Sequence, residues 1–68
     1  MINDKRIKTS RGEEYFVRNF MRDENFLNAC VCIADEQADF IPFRGAGEGV
    51  LRVERGENIL NAHYHLFP

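Results

Sequence analysis

The stretch Leu51-Arg52-Val53-Glu54-Arg55-Gly56-Glu57-Asn58-Ile59-Leu60-Asn61-Ala62-His63-Tyr64-His65-Leu66 decides the fold. Leu51 and Val53 alternate with Arg52 and Glu54, and after the glycine Leu60, Ala62, Tyr64 and Leu66 alternate with Asn61, His63 and His65. A period of two sends the two sets to opposite faces of a strand, so this is a β-hairpin with one face toward a core. A glycine tolerates the positive φ of a tight turn, which puts the tip at Arg55-Gly56, Leu51 opposite Leu60 and Gly49 opposite Ala62. Arg52, Asn61, His63 and His65 then share the face that meets water or a partner.

Arg-Gly-Glu at this turn has an earlier copy, Arg11-Gly12-Glu13. It lies between Ile7 and the strand-forming run Tyr15-Phe16-Val17, which predicts a first hairpin over residues 5–18. Ser10-Arg11-Gly12-Glu13 also fits a helix capping box, and Phe16, Phe20 and Met21 have helical spacing. The glycine and the aromatic and β-branched cluster behind it favour strand.

Between the two hairpins the period changes. Asp23 is a good N-cap, Glu24 suits a first helical turn, and Leu27, Cys30, Val31, Ala34 and Ala38 recur at three and four, predicting an amphipathic helix over 24–38. Asn25, Asn28, Asp35, Glu36 and Asp39 fall largely on its other side. Phe40-Ile41-Pro42-Phe43 reads as an edge strand, since proline lacks a ladder donor, and residues 45–49 read as a loop. The expected fold is α+β: one compact domain over 1–68, ordered ββαβββ, with the helix packed on one face of the sheet.

With 68 residues, of which 44% are hydrophobic and six are Phe, the chain can fold around a single small core. Neither a secretory leader pattern nor an apolar run of about 20 residues occurs. Two cysteines one residue apart are too few for a disulfide framework, so a reducing, cytoplasmic setting is expected. The net charge of −2 conceals a segregation. Residues 1–22 carry +3, with Lys5, Arg6, Lys8, Arg11, Arg18 and Arg22 against Asp4, Glu13 and Glu14. Residues 23–43 carry −5 with no base, and the remainder is neutral.

Every Cys and His belongs to an i,i+2 pair, Cys30/Cys32 and His63/His65. Four such ligands suit tetrahedral zinc, but residues two apart on a helix diverge by about 200°, so Cys30 and Cys32 are expected as small core residues. The histidines are expected at solvent or at an interface. Gly45-Ala46-Gly47-Glu48-Gly49 resembles a phosphate-cradling loop only in its glycines, because a strand follows it and no Lys-Ser/Thr does. No nucleophile is tied to a base and an orienting group, so neither an enzyme nor a cofactor is expected.

Two binding functions fit this chemistry. In the first, the chain is a small protein-binding module, inhibitor or regulator, acting through Asp35, Glu36 and Asp39 of the acidic helix and Arg52, His63 and His65 of the exposed sheet face. Small regulators from phages and other mobile elements share this size and paucity of motifs, an analogy of type only. In the alternative, Lys5, Arg6, Lys8 and Arg11, with Tyr15 and Phe16 nearby, bind RNA or DNA. The acidic balance favours the protein partner. A small sheet with free edges also predicts a homodimer.

Overall fold

Asp23 is extended, with φ −138° and ψ 121°, and its side chain accepts the Asn25 amide proton at 2.9 Å. It thereby opens the helix α1, Glu24–Glu36, in the computed structural model, which describes residues 5–19, 21 and 23–68. Asp4, Phe20 and Arg22, counted above, lie outside the described residues. Two antiparallel strands, β1 (Lys5–Lys8) and β2 (Glu14–Arg18), precede the helix. Three follow it: β3 (Phe40–Arg44), β4 (Glu48–Gly56) and β5 (Ile59–Leu66). The α+β reading holds.

The strands do not form two separate sheets. β5 lies beside β2 in parallel, with Phe16 opposite Ile59 and Val17 opposite Leu60, giving one mixed sheet in the order β1-β2-β5-β4-β3. The Phe16 amide donates to the Asn58 carbonyl at 2.8 Å at the start of this seam. α1 carries the chain from β2 to the far edge and covers one face on the way.

The last hairpin forms with a different register from the one expected. Its turn is Glu57-Asn58, with Gly56 opposite Ile59, and Asn58 takes the left-handed φ of 63° that asparagine tolerates. Leu51 therefore faces Tyr64, and Gly49 faces Leu66. The slip is even, so each side chain keeps its face, and Leu51, Val53, Leu60 and Ala62 are all buried. Gly49 is required by close approach, since a Cβ there would lie 2.1 Å from the His65 carbonyl oxygen.

The first Arg-Gly-Glu copy is also a turn. Thr9 and Glu13 close the loop (Thr9 N–H to Glu13 O, 2.8 Å), and Gly12 has φ 84°. Ser10 caps no helix of its own. Its amide and hydroxyl both bond Asp35 Oδ1, at 2.7 and 3.0 Å, across to the far end of α1.

Phe26, Cys30, Ile33 and Ala34 are the buried residues of α1. This stripe is displaced by about one residue from the one the spacing predicts, leaving Leu27 and Val31 at its margin. Phe26 meets Phe43 edge-on at 5.9 Å between centroids, and Phe43 meets Tyr64 in the same way at 5.3 Å. The Tyr64 hydroxyl accepts the amide protons of Gly45 (3.2 Å) and Gly47 (3.0 Å) and donates to the Gly47 carbonyl. The glycine-rich loop thus spends two amides on a tyrosine rather than on an anion.

At the other end of the helix, Gln37 adopts a left-handed φ of 55°, and Ala38 N–H bonds Ile33 O at 3.1 Å. The last turn contains no base. Two arginines from elsewhere take that place: Arg11 donates to the carbonyls of Ala34 and Asp35, and Arg55 to those of Ile33 and Ala38 and to Asp39 Oδ1. These are the arginines of the two Arg-Gly-Glu copies. Orphan carbonyls and the negative end of the helix dipole both favour cations here.

Replacing Arg55, whose side chain is 28% exposed, by Ala is expected to cost about 2 kcal/mol, and replacing Arg11, at 42%, about 1 kcal/mol. Arg55→Lys should recover less than half, because one ammonium cannot span three acceptors. Gln37→Gly, by relieving a side chain in the left-handed region, should add up to about 1 kcal/mol. Urea unfolding midpoints check all four, and unchanged midpoints for both alanine variants would refute the clamp.

Candidate functional site

The alternation that buries Ile7, Val17, Phe43, Leu51 and Leu60 against α1 turns their neighbours to the opposite face, where no element of the described structure lies. Across three strands the pairing aligns Phe40, Arg52 and His63 in one row. The next row is Pro42, Val50 and His65. Phe16 and Arg18 stand on β2, with Arg18 opposite Asn61. The two histidine rings stack at 6.4 Å with 25° between their planes. Phe40 is 61% exposed and Phe16 46%.

Charge is divided between the two sides. The open face holds Arg6, Lys8, Arg18, Arg44 and Arg52 against Glu14, Glu48 and Glu54, a formal +2 with neutral histidines. The other described residues hold Lys5, Arg11 and Arg55 against Glu13, Asp23, Glu24, Asp35, Glu36, Asp39 and Glu57, a formal −4. Pairs on the open face are exposed: Arg6–Glu14 and Arg52–Glu54 at 3.9 Å, Arg44–Glu48 at 2.8 Å and His63–Glu54 at 3.4 Å. Such pairs contribute little to stability and exchange readily.

The expected partner-binding residues are not brought together. Arg52, His63 and His65 lie on the open face, whereas Asp35, Glu36 and Asp39 lie at the helix end on the other side of the sheet. Asp35 is committed to Ser10 and Asp39 to Arg55, and Glu36 accepts the Cys32 thiol at 3.2 Å. The basic set divides as well: Arg6 and Lys8 reach the open face, Lys5 projects from the alternate side of β1, and Arg11 holds the helix end. Phe40 and Arg18 belong to the open face but were absent from the sequence-derived sets, and Phe16, named only beside the basic hairpin, joins them there. Alternation about Val17 and Phe43 was the signal for them, hidden in β2 by the unbroken run Tyr15-Phe16-Val17.

The cysteine and histidine pairs stay apart. Cys30 is buried in the core beneath the sheet, and Cys32 is half-buried on the helix. The histidines occupy the far face. Among the described residues, no group of three or more His, Cys, Asp and Glu is placed to hold a metal ion. A cleft of about 210 Å³ lined by Pro42, Phe43, Arg44, Glu48, Gly49 and Phe67 is smaller than the roughly 300 Å³ at which small-molecule pockets begin. No helix of the described structure is long and apolar enough to cross a membrane.

No protein family, no curated protein and no solved structure matches this chain. The geometry alone therefore carries the functional reading.

Burial pushes the Cys30 thiol up to about 11, and a hydrogen bond to Glu36, followed by burial and the nearby carboxylates, raises Cys32. For Cys30 the folded value lies above the ordinary 9.0, so its contribution is complete below pH 9 and is lost as pH rises toward 11. Two units correspond to about 3 kcal/mol. The stability gap between wild type and Cys30→Ala should therefore narrow by up to that amount between pH 9 and 11, as measured by urea unfolding at each pH. A constant gap would contradict a buried neutral thiol.

Proposed function

We propose that this chain is a non-enzymatic binding module for a larger protein, a small inhibitor or regulator, and that its contact surface is the open face of the sheet. The row Phe40-Arg52-His63 carries the reading. It sets an exposed aromatic ring and a guanidinium, residue types enriched at protein interfaces, beside an imidazole on a rigid scaffold. The acidic helix end, expected as a contributor, has its three carboxylates bonded within the molecule, to Ser10, Cys32 and Arg55, which argues for the sheet.

The nucleic-acid reading has less support. A net +2 spread across four of the five strands, with three of the five cations near carboxylates, neutralises few phosphates.

Phe40→Glu and His63→Glu, singly or together, should reduce capture of the cellular partner by a tagged chain at least tenfold, with the circular dichroism unchanged. Glu24→Lys with Glu36→Lys on the helix should leave capture intact. Loss of capture only in the helix variants would move the contact to α1 and end this reading.

A further inference from the structure

We infer that the partner covers the open face with an acidic amphipathic helix, an inference that rests on the protein-binding reading above. β2 and β5 pair in parallel over three residues within an otherwise antiparallel sheet, α1 covers one face of it, and Phe16 and Phe40 stand exposed on the other. An amphipathic helix can cover both rings with one apolar stripe. Charge complementarity selects an acidic one. The face carries a formal +2, and among the described residues no carboxylate lies within ion-pair distance of Lys8 or Arg18.

The same charge opposes a second copy of this chain. A twofold dimer through this face would set +2 against +2. Pairing through the edges is opposed too. Val53 N–H donates to Asp39 O at 3.0 Å, and bonded and non-bonded pairs alternate, so Pro42 falls where an outward donor would otherwise stand. The opposite edge, β1, is four residues long and carries three bases.

The anchors set the size of the helix. Phe16 and Phe40 lie three strand spacings apart, about 14 Å, and are offset by the four residues from Ile59 to His63, about 13 Å. The diagonal is therefore about 19 Å. That corresponds to roughly 13 residues of α-helix, with an apolar residue at each end and carboxylates between them over Arg18, Arg52 and His63.

The test is an amide-shift titration of the whole chain with a capped peptide of about 14 residues, built from Glu and Ala with one Leu near each end. Controls are the same peptide with Gln for Glu, and a single-stranded oligothymidylate. Binding of the Glu peptide should perturb Arg18, Phe40, Arg52 and His63 and be at least tenfold tighter than that of the Gln peptide. That advantage should vanish in high salt and in the Arg18→Gln/Arg52→Gln variant. Absence of shifts on the face, or equal binding of the Glu and Gln peptides, would overturn the inference. So would tighter binding of the oligothymidylate, or peptide-free shifts on the face that grow with protein concentration. Failure here while Phe40→Glu still abolishes partner capture rejects the acidic helix and leaves the open face as the contact surface.

Discussion

The C-terminal end of α1 lies over the sheet with its carbonyls turned toward two guanidinium groups, and the architecture depends on that meeting. The helix brings no cation of its own to its negative end. Arg11 reaches it from the first hairpin and Arg55 from the last, so one helix terminus ties together turns far apart in the chain. The other end is held by contact rather than charge, through the edge-on series Phe26, Phe43 and Tyr64. Between these attachments the core is filled by small and medium side chains, and its few aromatic rings serve as struts.

That use of charge determines what remains for function. Along the sequence, the basic arm and the acidic middle look like two interaction surfaces. In space, the arm's Ser10 and Arg11 are occupied with the middle's Asp35, and Asp39 with Arg55 of the last hairpin. Strand alternation then redistributes the remaining bases, sending Arg6, Lys8 and Arg18 to the same face as Arg52. A linear charge map records how many charges are available but not which of them are spent inside.

Local signals were legible and non-local ones were not. Asp23 as an N-cap, the change of period after it and the alternation on both sides of Gly56 fixed the order of elements and the face of each strand. The parallel seam between β2 and β5 leaves no local trace, because neither strand's pattern names its neighbour. The second turn moved from Arg55-Gly56 to Glu57-Asn58 because asparagine can take the left-handed conformation that glycine was expected to supply. Arg55 was thereby left in the strand, on the helix side, where it can act as a clamp. The buried stripe of α1 was misplaced for a related reason. Periodicity alone does not weigh Phe26 and Ile33 above Leu27 and Val31, whereas packing against Phe43 does. On the site, Arg52, His63 and His65 were legible from alternation, while Phe16 and Phe40 needed the sheet order to become neighbours of that row.

The parallel seam also sets a timetable. β5 comes last in chain order among the five described strands, yet it sits in the middle of the sheet, between β2 and β4. Until it emerges during synthesis, the first hairpin has no inner neighbour, α1 lacks the Arg55 half of its clamp, and β4 has one unpaired edge. Folding must therefore close the long loop between β2 and β5, which is slow by the measure of contact order. A nascent chain stalled before Ile59 would expose apolar strand edges, and would be a substrate for chaperones rather than a partially working binder.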